Sequence, residues 1–338
     1  MTRWWLHPRL VAMGVFVAVG LVGCTGAQKD TAEEGGRAGG GGGTHYTIAV
    51  IPKGTSQSFW KAVKAGADAA AAEAGNVTID WNGPAAETDV DGQIRILQNA
   101  ISRRVSAIVL AACNANSAVR YVEQAQAQKI PVVTIDSGIS PDVSVAYLAT
   151  DNVKGGEVAA DALAELIGGK GKVGCIPFVK GAASSDQREQ GFRQGLKRHP
   201  GVELVRVLYS DADVSVGMDR AKSMMASVPD LAGIFPANQA GAEGAIQAVE
   251  QLGTAGKVKL VCFDASDAEI KALRAGTVQA LIVQNPFRMG YEGVKTALRA
   301  VRGEKIEPRV IDTGVTKVTK ENLDTPEIQK LLNPAGSS

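Results

Sequence analysis

Histidine and cysteine are scarce in this chain, and their scarcity removes whole classes of chemistry. Of 338 residues, three are histidine and four are cysteine. Beyond the first few residues only His45 and His199 remain, so no His/Cys group has the spacing of a metal site, and neither histidine has the context of a catalytic triad. Past Cys24 the cysteines are Cys113, Cys175 and Cys262, each at or near the end of an apolar run. An odd number does not suggest a disulfide framework, and the three read as small buried apolar residues. Charge of one sign is also lacking. A formal net charge of +1 offers no electrostatic case for nucleic acid. No dinucleotide fingerprint follows the first strand, and no G-x-S-x-G elbow is present. Gly168-Gly-Lys-Gly-Lys172 superficially suggests a phosphate loop, but it follows a helix and precedes a strand, the reverse of a P-loop. It reads as a helix-ending turn. Nothing positive supports an enzyme, and no cofactor is implied.

What is present begins with an address. Arg3, His7 and Arg9 precede a short apolar core, Leu10 to Leu21, well under the ~20 residues of a spanning helix. This is the layout of an export signal. It ends in Leu21-Val22-Gly23-Cys24, which resembles a bacterial lipoprotein lipobox. The resemblance implies a signal peptide over 1–23, cleavage before Cys24, and lipidation of that cysteine. Residues 24–44 are rich in glycine and cannot bury a core; that composition predicts a flexible tether.

From Tyr46 onward, short β-branched runs alternate with alanine-rich helical segments. Strands are predicted over 46–51, 77–81, 107–111, 131–135 and 145–149, with helices over 89–103 and 117–128. After Asn152 the pattern restarts, with strands over 172–177, 203–209, 231–235, 258–263 and 278–284. The helices there are 155–167, 187–198, 215–228, 241–252 and 268–274. A last helix over 287–301 precedes short strands near Val310 and Val315. Continuous apolar strands separated by helices indicate parallel sheets covered on both faces. About ten βα units are too many for one ordinary sheet, yet no linker divides them. Two similar α/β lobes joined by several crossing strands fit both facts.

Candidate functional residues cluster at strand ends, where open α/β sheets bind ligands. After the first strand come Pro52, Lys53 and Gly54, then a helix opening with Phe59 and Trp60. Ser56 or Ser58 is placed to cap that helix. The two aromatics either pack the first turn or meet a ligand. Asp136 and Ser137, Asn238, Asp264 and Gln284 each follow an apolar strand, and Arg188 falls in the first turn of a helix. Singly, such residues cap helices or close turns. Together, carboxylates, amides and an arginine can pair with vicinal hydroxyls, while aromatic faces cover an apolar ring face.

With these residues in view, residues 46–319 resemble the type I periplasmic binding proteins. The likeness is to the ribose/galactose-type sugar receptors of ABC importers, whose fold the sensory cores of LacI-type repressors share. It rests on Ser58-Phe59-Trp60-Lys61, Ile135-Asp136-Ser137, Ala149-Thr-Asp-Asn-Val-Lys-Gly-Gly156, Arg188-Glu-Gln-Gly-Phe192, Pro236-Ala-Asn238, Cys262-Phe-Asp264 and Val283-Gln284-Asn285-Pro286. The resemblance implies two Rossmann-like lobes with parallel sheets and a three-segment hinge. The N-terminal lobe would be 46–150 plus 285–312, and the C-terminal lobe 151–284 plus 313–330. It implies a monomer that captures a sugar or polyol and serves the membrane subunits of an ABC importer, held at a membrane through Cys24. A sensory receptor of the same fold, for a sugar or autoinducer-2, is the alternative; an enzyme on this scaffold is a more distant one. Carried over residue by residue, Phe59 and Trp60 become the stacking pair and Gln57 a hydrogen-bonding amide. Asp136 would accept from hydroxyls of the ligand. Arg188, Asn238, Asp264 and Gln284 would close from the other side. Ser137 stands where ribose receptors have arginine, and Ala212 where they have a second covering aromatic. Lys53 and Asp186 are further candidates.

Overall fold

The computed structural model describes residues 44–333. The expected signal segment, Cys24 and the tether up to residue 43 lie outside the described residues. Among those described, no helix is long and apolar enough to cross a membrane.

The first half of the fold runs β1 (Tyr46–Ile51), α1 (Ser58–Ala74), β2 (Val77–Trp81), α2 (Val90–Ser102), β3 (Ala107–Leu110), α3 (Val119–Ala127), β4 (Val132–Ile135) and β5 (Ala146–Ala149). The second half runs α4 (Asn152–Leu166), β6 (Gly171–Ile176), α5 (Ala183–Leu196), β7 (Val202–Val207), α6 (Val214–Ser227), β8 (Leu231–Pro236), α7 (Gln239–Gln251), β9 (Lys259–Phe263), α8 (Asp267–Ala275) and β10 (Ala280–Val283). The chain then adds α9 (Pro286–Val301), β11 (Val310–Asp312), β12 (Thr316–Val318) and α10 (Pro326–Leu332).

Two six-stranded sheets result, ordered β11-β5-β4-β3-β1-β2 and β12-β10-β9-β8-β6-β7. The second order repeats the first with each main strand advanced by five, so the lobes are two copies of one plan. All pairings are parallel except β10 with β12. The chain passes between the sheets three times: from β5 into α4, from β10 into α9, and from β11 to β12.

Alternation along each strand builds the core. In β3, Ala107 and Val109 enter one apolar cluster while Ile108 and Leu110 enter the cluster on the opposite face. In β9, Leu260 and Cys262 face one way, and Val261 and Phe263 the other. Burial on both faces is why these strands read as unbroken apolar runs. Cys113, Cys175 and Cys262 are buried free thiols.

Several boundaries differ from expectation, and local hydrogen bonding explains them. Helix α5 begins at Ala183, not at 187, because its first turn serves the preceding loop. Ser185 Oγ accepts from the N–H groups of Phe178 and Val179. Arg188 therefore sits in the second turn. Helix α4 starts at Asn152 because Asp151 accepts from Lys154 N–H and caps it. Neither Ser56 nor Ser58 caps α1: its N-cap is Gln57, whose side chain makes no capping bond.

Candidate ligand-binding site

The carboxyl ends of the two sheets meet around one small cavity. It is lined by Lys53, Gln57, Phe59, Trp60, Glu87 and Asp136 from the first lobe. Phe178, Arg188, Asn238, Asp264 and Gln284 line it from the second lobe and its crossing. Asp136 follows β4 and Asp264 follows β9, equivalent strands in the two copies of the plan. Both residues have positive φ, 55° and 88°, a conformation that costs energy for a side-chain-bearing residue and often marks functional positions. Each nonetheless keeps its N–H in the sheet ladder, donating to Leu148 O and Ile282 O at 3.0 Å.

On the first-lobe side, Lys53 Nζ lies 2.9 Å from Asp136 Oδ2 and 3.5 Å from Glu87 Oε2. It also donates to Ser184 Oγ of the other lobe at 3.2 Å. Burial alone would push the lysine down; the Asp136 and Glu87 carboxylates outweigh it and hold the ammonium above its usual value. The Nζ stands 4.7 Å from the centroid of Phe178 and 5.6 Å from that of Trp60, a cation–π arrangement on two rings. Glu87 Oε1 accepts from the Trp60 indole N–H at 3.0 Å.

On the second-lobe side, Arg188 is 2% exposed, so its guanidinium needs partners in place. Nε donates to Asn152 Oδ1 and Nη1 to Ala237 O, both at 2.8 Å. Its Cζ lies over the Phe263 ring, 3.7 Å from the centroid, while Nη2 stands 3.9 Å from Asp136 Oδ1 across the cleft. Asn238 Oδ1 accepts from Gly241 N–H, so the residue caps α7 and lines the cavity at once. Asp264 accepts from Gln239 N–H at 2.9 Å and from Gln284 Nε2 at 2.7 Å. Burial raises its carboxyl above the usual range, with Arg188 opposing. Gln284 Oε1 and Glu87 Oε2 are buried and make no hydrogen bond.

Most of the residues singled out in the sequence converge here, and three do not. Ser137 is buried behind the lining, where its Oγ accepts from Ser184 N–H at 3.3 Å. Asp186 turns away to accept from Gly181 N–H. Ala212 packs on the second lobe's core rather than over the cavity. Phe178 brings an aromatic from the second lobe, so both lobes contribute rings. It follows β6 by two residues, and the strand-end rule could have found it. Glu87 carried a weaker signal, because it is the sixth residue past the end of β2. Phe59 and Trp60, set edge-to-face with centroids 4.9 Å apart, belong to the first lobe's core and line the cavity too.

The lining is suited to hydrogen bonding rather than to covalent chemistry. Among the described residues no group of three His, Cys, Asp or Glu is placed to hold a metal. Burial and the Glu87 carboxylate push the Cys113 thiol, beside Lys53, up to about 12, so it is no nucleophile near neutrality. The lobes lie close together around the cavity, and the space left free in it is about 10 Å³, roughly room for one water.

Comparison with known proteins places this geometry. The ribose import binding protein of Haemophilus influenzae is 30% identical over 264 residues, covering 78% of this chain and 88% of its own. A solute binding protein from Agrobacterium vitis, solved with bound D-fucose, is 38% identical with a TM-score of 0.82, covering 84% of this chain and 98% of its own. One from Agrobacterium radiobacter, solved in complex with D-arabinose, is 37% identical with a TM-score of 0.83, covering 86% and 99%. The periplasmic binding protein domain model matches residues 48–305, and this chain belongs to that family.

Proposed function

We propose that this protein is an exported, lipid-anchored solute-binding protein that captures a neutral monosaccharide between its lobes and delivers it to an ABC importer. The observation that carries the reading is the cavity itself. Both lobes supply carboxylates, amides and aromatic rings to one space between them. Gln284 Oε1 lacks a hydrogen-bond partner there, and a sugar's hydroxyl donor would satisfy it. An unpaired buried acceptor costs about 1–3 kcal/mol, so such a ligand gains by supplying donors. Phe59, Trp60 and Phe178 cover the apolar faces of the ring. Arg188 and Lys53 donate to its oxygens, and Asp136, Asp264 and Asn238 bind its hydroxyls. Relatives that hold D-arabinose and D-fucose direct the choice toward pentoses and deoxyhexoses.

A thermal-shift screen against D-arabinose, D-fucose, D-ribose, D-allose, polyols and autoinducer-2 tests the reading. A ligand at 100 times its Kd adds about 2.7 kcal/mol of stability. Asp264→Ala should abolish that shift; a panel without any shift, or full affinity in the variant, would sink the assignment. The anchor is tested separately. Cys24→Ser should move the protein from the membrane fraction to the soluble fraction, and retention in the membrane would count against lipidation.

A further inference from the structure

The N-terminus of α1 is finished by the opposite lobe. The first turn of a helix carries free N–H groups that need acceptors, and the N-cap of α1, Gln57, offers none from its side chain. The acceptor comes instead from Gln239, the first residue of α7 in the second lobe. Its Oε1 accepts from Phe59 N–H at 3.2 Å and from Ser58 Oγ at 2.9 Å. The other end of the same amide, Nε2, donates to Glu243 Oε1 at 2.9 Å, which fixes Oε1 toward α1. The backbone N–H of Gln239 meanwhile donates to Asp264 Oδ2, whose carboxyl lines the cavity. Gln239 is 6% exposed and is not among the cavity lining residues.

One residue thus connects a cavity carboxylate on its own lobe to the helix that carries Phe59 and Trp60 on the other. Among the other lobe-to-lobe hydrogen bonds, Ala115 N–H to Gly181 O and Lys53 Nζ to Ser184 Oγ engage no helix backbone N–H, whereas Ser184 N–H, in the first turn of α5, finds its acceptor in Ser137 Oγ of the first lobe much as Phe59 N–H finds Gln239. We propose that Gln239 is a positioning residue for closure: it completes α1 only when the lobes are together, and so holds the closed arrangement without touching the ligand. Moving the lobes apart leaves the Phe59 N–H without its acceptor, which biases the protein toward the closed, ligand-retaining state. A contact that favours the closed state raises affinity by increasing the binding-competent fraction, and its loss appears mainly in the dissociation rate.

This inference rests on the sugar-binding reading for one arm of its test and not for the other. In the ligand-free arm, small-angle scattering of Gln239→Ala should give a larger radius of gyration than the parent, as should Ser58→Ala to a smaller degree. In the ligand arm, D-arabinose or D-fucose should leave Gln239→Ala about fivefold faster, the scale of one net hydrogen bond, with the ranking of sugars unchanged. The Ser58→Ala/Gln239→Ala double variant should show less than the sum of the two effects. An unchanged ligand-free radius overturns the proposal whatever the release rate, and so does strict additivity. If no sugar binds at all, the binding reading fails while the scattering arm still decides the role of Gln239.

Discussion

The Glu87 carboxylate accepts from the Trp60 indole through one oxygen and faces Lys53 with the other. A single side chain thereby fixes both an aromatic and a cation of the cavity. Trp60 is 1% exposed and Lys53 2%, so neither polar group has water to fall back on. Glu87→Leu should strand the indole N–H and weaken the pairing of the buried ammonium, costing about 2–3 kcal/mol. Glu87→Gln retains an acceptor for the indole and should cost less. Urea unfolding of the three proteins checks the order; a Leu variant as stable as the parent would show that Glu87 supports neither partner. The same residue marks the limit of strand-end reasoning. Asp136, Asn238, Asp264 and Gln284 stand within two residues of a strand's end, where the ladder fixes their direction. Glu87 is brought in by the course of the β2–α2 loop, which no local periodicity encodes.

At the scale of elements, the strands were the most legible part of the chain. Their β-branched runs had no alternative once both faces were buried, as the division of β3 between two apolar clusters shows. Helix starts were less legible, since they depend on where side chains find N–H groups. Asp151 and Asn238 begin α4 and α7 earlier than the apolar spacing suggests, and Ser185 in the first turn of α5 holds the preceding loop. Helix pairing was not legible. A Cβ on Gly290 of α9 would stand 1.9 Å from Val63 O of α1, and one on Gly191 of α5 would stand 1.9 Å from Val153 O of α4. These glycines read as neutral letters within helical segments, yet they let backbones touch, and α1 holds its aromatics at the cavity partly through that contact. The interlobe cap from Gln239 to α1 was hidden for a related reason. An amide at the start of one helix gives no sign that it serves another helix some 180 residues away in sequence.

For the molecule as a whole, the titration of buried acids sets the response to pH. Burial, reinforced by Asp264, holds Glu269 well above the usual carboxylate range, against the bonds it makes with Ser266 in the capping box of α8. Burial likewise raises Asp264. An acid whose folded value is raised contributes stability that is complete below its unfolded value, ~4, and lost as pH rises through the folded value. The exposed Asp230 and Asp324, lowered by Lys172 and Arg274, act in the opposite sense and withdraw their support only as pH falls below the carboxylate range. Ligand-free stability, and with it the melting temperature, should therefore rise as pH falls from 7.5 toward 5, the free energy by at most about 1.4 kcal/mol per pH unit for each buried acid, and then drop below 4. Glu269→Gln should flatten the rise. The ligand's contribution should run the other way. Sugar hydroxyls donating to Asp264 favour its charged form, so the stabilisation added by saturating D-arabinose should shrink over the same interval, and Asp264→Asn should lose that dependence. Melting curves across pH, with and without sugar, measure both slopes; an unaltered slope in Glu269→Gln would remove that residue from the account, and a sugar shift independent of pH would remove Asp264 as the acceptor.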